Sequence, residues 1–131
     1  MSRYVFSKIF SNKLFKFWIY RYNLIIATND IEFIKECIEN TKLLGIAESD
    51  RVNLILSTND VEYIKSCIGK YKFASSYNKA NLIAKTKDKK YIKACIERAN
   101  ELELSETDVM WLIGATEDKG YIKDWIENRS E

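Results

Sequence analysis

Residues Asn53–Ile68 read N-L-I-L-S-T-N-D-V-E-Y-I-K-S-C-I, and the chain repeats this phrase three more times. Residues Asn23–Ile38 give N-L-I-I-A-T-N-D-I-E-F-I-K-E-C-I. Asn81–Ile96 give N-L-I-A-K-T-K-D-K-K-Y-I-K-A-C-I, and Trp111–Ile126 give W-L-I-G-A-T-E-D-K-G-Y-I-K-D-W-I. The threonines of the phrase, Thr28, Thr58, Thr86 and Thr116, stand 30, 28 and 30 residues apart. A period of this size marks units that cannot bury an apolar face alone and do so by stacking.

Each unit reads as two short helices. In the second copy Ser49 or Asp50 is the expected N-cap of the first helix, and Val52, Leu54, Ile55 and Leu56 supply its buried side. Ser105-Glu106-Thr107-Asp108 offers a capping box to the fourth copy, with Asp in place of the usual Glu or Gln. Ser75-Ser76 serves the third. The first helix stops at the Thr-x-Asp triplet, where Asp30, Asp60, Asp88 and Asp118 open the second as N-caps or first-turn acids. In the second helix an aromatic and Cys or Trp lie four apart, as do two isoleucines, which makes one apolar stripe. Segments such as Asn40–Ser49 connect one unit to the next, and the shorter Lys70–Ser76 accounts for the 28-residue spacing.

The 131 residues contain no Pro and four Gly, in a chain rich in Lys, Glu, Ile and Leu. The expected fold is all-α: a short solenoid of four helix pairs in a single domain over 1–131. Residues 1–22 depart from the phrase, carrying Trp18 and ten other aromatic, Ile or Leu side chains among five basic ones and no acid. They are expected to form an aromatic and basic cap helix over the open end, since terminal units of an array differ from interior ones. A helix of this composition also suits an anionic membrane surface. Lysines interrupt every apolar run before it reaches signal-peptide or membrane-spanning length. The repeats are expected at about 21–48, 49–74, 75–104 and 105–131.

Ala27-Thr28 followed by Glu32-Phe33-Ile34-Lys35 resembles the phrase of ankyrin repeats in which a small pair ends the first helix and an acid-apolar-Ile-Lys run makes the second. The resemblance spans roughly residues 21–128. It implies helix pairs, β-hairpin fingers between them and a role in protein recognition. The family's Thr-Pro-Leu-His start is absent, and Val52-Asn53-Leu54-Ile55 holds its place.

With no His in the chain, neither a Ser-His-Asp nor a Cys-His site can be built, and no phosphate-binding glycine motif or C-x-x-C is present. No catalytic residue, metal or cofactor is expected. The recurring aspartates are explained as helix caps, and Lys35, Lys65, Lys93 and Lys123 as the solvated edge of the second helix with stems that pack. Cys37, Cys67 and Cys95 recur at one core slot that Trp125 fills in the fourth copy. Equivalent positions of packed helices lie roughly 10 Å apart, too far for a disulfide. Three unpaired thiols fit a reducing compartment, so the expected location is the cytoplasm of a bacterium or of an infected host cell.

Charge is distributed in blocks under a net +2. Residues 24–63 hold three basic and eight acidic groups, residues 64–96 nine lysines against Asp88, and residues 97–131 four basic and ten acidic groups. The basic block centres on Lys85, Lys87, Lys89 and Lys90, where the second copy has Ser57, Asn59, Val61 and Glu62, so the repeat does not require lysine there. With Lys70, Lys72, Trp18 and Trp111 these residues form the candidate partner-binding set. The leading expectation is a non-catalytic module that binds an acidic protein surface. Short arrays of this kind suit phage, viral or bacterial effector proteins that block a host protein. Nucleic acid is the alternative partner for the lysine turn, an anionic membrane is the alternative for residues 1–22, and a homo-oligomer through an array end stays open.

Overall fold

The structure, a computed structural model, describes residues 21–129. Among them are nine helices and no strand. In chain order these are α1 (Arg21–Ala27), α2 (Ile31–Glu39), α3 (Thr41–Leu44), α4 (Glu48–Ser57), α5 (Val61–Lys70), α6 (Ser76–Lys85), α7 (Lys89–Glu97), α8 (Glu106–Ala115) and α9 (Lys119–Arg129). Each copy of the phrase thus forms two helices joined at its Thr-x-Asp triplet. The cap helix expected over residues 1–22 lies outside the described residues, except for Arg21 and Tyr22 in α1.

The chain divides into two compact units, Met1–Ile64 and Lys65–Glu131, and the division falls within α5. In the first unit α4 packs on both α1 and α2. Its core holds Ile25, Ile34, Cys37, Ile38, Leu44, Val52, Leu54 and Ile55, all buried. In the second unit α8 packs on α6 and α7, and α9 packs on α8. Its core is built from the same phrase positions, Leu82, Ile83, Ile92, Cys95, Ile96, Leu112 and Ile113. Fully burying one such aliphatic side chain is worth about 1.5–3 kcal/mol, so the recurring Leu-Ile pair and the Ile-Cys-Ile stripe dominate the stability of each unit.

The helix turn has one geometry in all four copies. Asn29, Asn59, Lys87 and Glu117, the middle residues of the triplets, have φ between 52° and 56°. This left-handed residue breaks the first helix. The threonine hydroxyl before it donates to the carbonyl of the Ile three residues back and accepts from the Asp N–H two residues on. The Asp carboxylate then accepts the N–H of the aromatic three residues later, at 3.1 Å in every copy. One hydroxyl and one carboxylate therefore satisfy backbone groups that a helix end leaves open.

Two local expectations are corrected. Helix α4 begins at Glu48 after Ala47, not at Ser49 or Asp50; Asp50 lies in its first turn, and burial raises its pKa. The connection after α2 is not plain loop: it contains α3 and ends on Gly45, whose φ of 67° supplies the left-handed stop. The hairpin fingers implied by the ankyrin resemblance have no strand in the described residues. Ser105 and Asp108 form the expected capping box.

Candidate functional site

The recurring lysines and aspartates, expected to act separately, meet. Lys35 Nζ lies 3.4 Å from Asp60 Oδ2, Lys65 Nζ 2.8 Å from Asp88 Oδ2, and Lys93 Nζ 2.7 Å from Asp118 Oδ2. Each ammonium also sits over the aromatic ring of the helix it reaches: Lys35 is 4.7 Å from the Tyr63 centroid, Lys65 4.9 Å from Tyr91, and Lys93 4.9 Å from Tyr121. The lysine of one copy thus clips the N-terminus of the second helix in the next copy. The two oxygens of each of these carboxylates divide the work: Oδ1 accepts the cap bond and Oδ2 takes the ion pair.

The electrostatics follow from this geometry. Asp60 is held below the usual carboxylate range first by the Tyr63 N–H and then, against some desolvation, by Lys35. Asp88 and Asp118 are held down chiefly by the hydrogen bonds from Lys65 and Lys93, with the Tyr91 and Tyr121 N–H groups adding to it. Asp108 feels a burial penalty, but hydrogen bonds from Ser76 and Ser105 outweigh it and lower its pKa. Lys, Asp and the aromatic recur in fixed phase in every copy, but the sequence did not show that they meet.

The three cysteines are buried core residues and form no disulfide. Burial, with Glu36 adding to it, pushes the Cys37 thiol up to about 12, and burial also raises Cys95. Neither is a ready nucleophile at neutral pH. Among the described residues, no group of three His, Cys, Asp or Glu side chains could hold a metal ion, and no helix is long and apolar enough to cross a membrane.

Lys85, Lys87, Lys89 and Lys90 all lie exposed on the turn from α6 to α7. Lys87 is the left-handed residue of that turn, and Lys89 and Lys90 occupy the first turn of α7. Positive charge there opposes the helix dipole, whereas α2 and α5 carry Glu32 and Glu62. Lys89 also helps to hold the Asp118 carboxyl down. Lys70 and Lys72 are exposed, with Lys70 Nζ 5.4 Å from the Tyr71 ring centroid. Two neighbours of the basic block are committed to structure: Lys79 donates to the Leu102 carbonyl at 2.7 Å, and Lys93 clips Asp118.

Trp111 is half-buried and stacks on Tyr77 with centroids 5.3 Å apart, so it seats α8 on α6. Trp18 lies outside the described residues. A cleft of about 740 Å³ in the second unit is bordered by Leu104, Met110, Tyr121 and Trp125. At the end of the first helix, where the four copies differ in sequence, Ala27, Lys85 and Gly114 are exposed, while Ile26, Leu56, Ser57, Ala84 and Ala115 are half-buried. No protein-family model, curated protein or solved structure matches this chain.

Proposed function

We propose that this chain is a non-catalytic protein-recognition module, an ankyrin-like array of four stacked helix pairs. Its contact surface is the Lys85–Lys90 turn, and its partner presents an acidic protein surface. The observation that carries this reading is that the turn carries four exposed lysines, two of which, Lys89 and Lys90, stand in the first turn of α7 against its dipole. A non-Gly, non-Asn residue in the left-handed region is disfavoured, and two first-turn lysines oppose the helix dipole. The first two copies use Asn and Glu at these places and make the same turn. Unfavourable first-turn charge on an exposed loop favours selection for contact over selection for stability. Blocking a host protein from a reducing cytoplasm is the biological setting this reading favours.

The test is affinity capture from host lysate with wild type and with a Lys85/Lys87/Lys89/Lys90→Glu variant that retains its helical circular dichroism. One stoichiometric protein, captured by wild type and lost with the variant, supports the reading. Capture of nucleic acid alone, weakening steeply with salt, contradicts it.

A further inference from the structure

The clip between copies has a donor half and an acceptor half, and the described residues leave one of each unused. Lys123 stands at the phrase position of Lys35, Lys65 and Lys93; it is exposed and pairs with no carboxylate among the described residues. Three residues further along α9, Ile126 is 63% exposed, whereas Ile38, Ile68 and Ile96 at the same phrase position are 0%, 4% and 6% exposed. At the other end, Asp30 caps α2 but pairs with no cation among the described residues. Leu24 is 65% exposed, whereas its equivalents Leu54, Leu82 and Leu112 are each 0% exposed. Thr28 is exposed as well, although Thr58, Thr86 and Thr116 are buried.

These differences are complementary. The phrase positions that stand open in the last copy are the lysine and the isoleucine of the second helix. Those that stand open in the first copy are the leucine and the threonine of the first helix, with the aspartate that follows. Within the first unit Lys35 reaches Asp60, and Leu54 on α4 is buried where α4 packs on α1 and α2. Open donor and open acceptor are thus the two sides of a contact the chain already makes internally.

We propose that a second copy of this chain docks head to tail, with Lys123 of one copy pairing with Asp30 of the next and Ile126 and Leu24 buried beside that pair. The contact joins two different patches and is heterologous, so each copy offers one patch of each kind and assembly proceeds by addition. The Lys85–Lys90 turn takes no part in it, so this contact and the recognition surface stand or fall separately.

Sedimentation equilibrium of the full chain at low salt, from micromolar to millimolar concentration, tests the proposal. The weight-average mass of wild type should rise above the 15.4 kDa of one chain and fall back as salt is added. Asp30→Asn keeps the N-cap and removes the charge, while Lys123→Glu reverses an exposed one, so both variants should fold. Each alone should need about tenfold more protein, or greater, for the same association. An equimolar mixture of the two should form dimers that grow no further, because only one productive pairing remains. A wild type that stays at monomer mass overturns the proposal. So does association unchanged in both variants, as a symmetric or unrelated contact would give, or a mixture that behaves as its components do.

Discussion

At the residue scale the aspartate of the Thr-x-Asp triplet has two duties. Its carboxylate caps a helix, and in Asp60, Asp88 and Asp118 it also receives the lysine of the preceding copy. The two duties can be separated. Asp88→Asn retains the cap and loses the ion pair, whereas Asp88→Ala loses both, so thermal denaturation should rank wild type above Asn and Asn above Ala. The pH dependence has a definite sign. The folded pKa values of these three carboxyls are depressed below the unfolded value of about 3.9, so the folded state holds fewer protons than the unfolded state in that window. Their stabilising contribution is complete above that value and drains away as pH falls through the depressed pKa values. Urea midpoints should hold level down to about pH 5 and decline below pH 4, and the decline should be shallower in the Asp88→Asn variant. The thiols give a third readout. Cys37 and Cys95 are buried with raised pKa values, so a thiol reagent at pH 8 should modify them only as fast as the fold opens. The caps were legible in the sequence because Asp at the start of an apolar stripe has a local signature. The clip was not, because its two partners lie 23 to 25 residues apart and meet only once the helices pack.

At the element scale the phrase positions set the helices and the turns between them. Start and stop signals were legible where chemistry is local: the threonine and aspartate of each triplet and the Ser105 capping box. The helix start at Glu48 was missed because Ala47 has no capping side chain, and α3 was missed because a single turn of helix leaves no periodicity to read. The left-handed residue between Thr and Asp was also hidden, since only Asn29 and Asn59 belong to a type that favours it. Two predictions follow from that geometry. Lys87→Gly relieves the left-handed strain and should raise stability by up to about 1 kcal/mol, measured by urea denaturation. Leu82→Ala empties a fully buried slot and should cost about 2–5 kcal/mol, while Leu24→Ala, at the same phrase position but exposed, should cost within about 0.5 kcal/mol. A Leu24→Ala loss as large as that of Leu82→Ala would mean that the leucine of the first copy is as closed off as that of the third.

At the scale of the whole molecule, the fourfold phrase made the helical class and the pairing of helices legible, because a 3.6-residue stripe and recurring caps need no knowledge of what lies across the core. The candidate surface was legible only as a departure from the phrase: lysines at Lys85, Lys87, Lys89 and Lys90 where Ser57, Asn59, Val61 and Glu62 suffice. The partner has no counterpart in the phrase. The central proposal is that the copies act as one array, each stabilised by its neighbour. Cys37 and Cys95 sit at equivalent buried positions in the first and third copies and give a natural pair of probes. The decisive measurement is the urea dependence of thiol labelling at each cysteine, read peptide by peptide in a mass spectrometer, for wild type and Leu82→Ala. A coupled array predicts that the substitution moves the labelling midpoints of Cys95 and Cys37 together to lower urea. A shift confined to Cys95, with Cys37 unchanged, would contradict it.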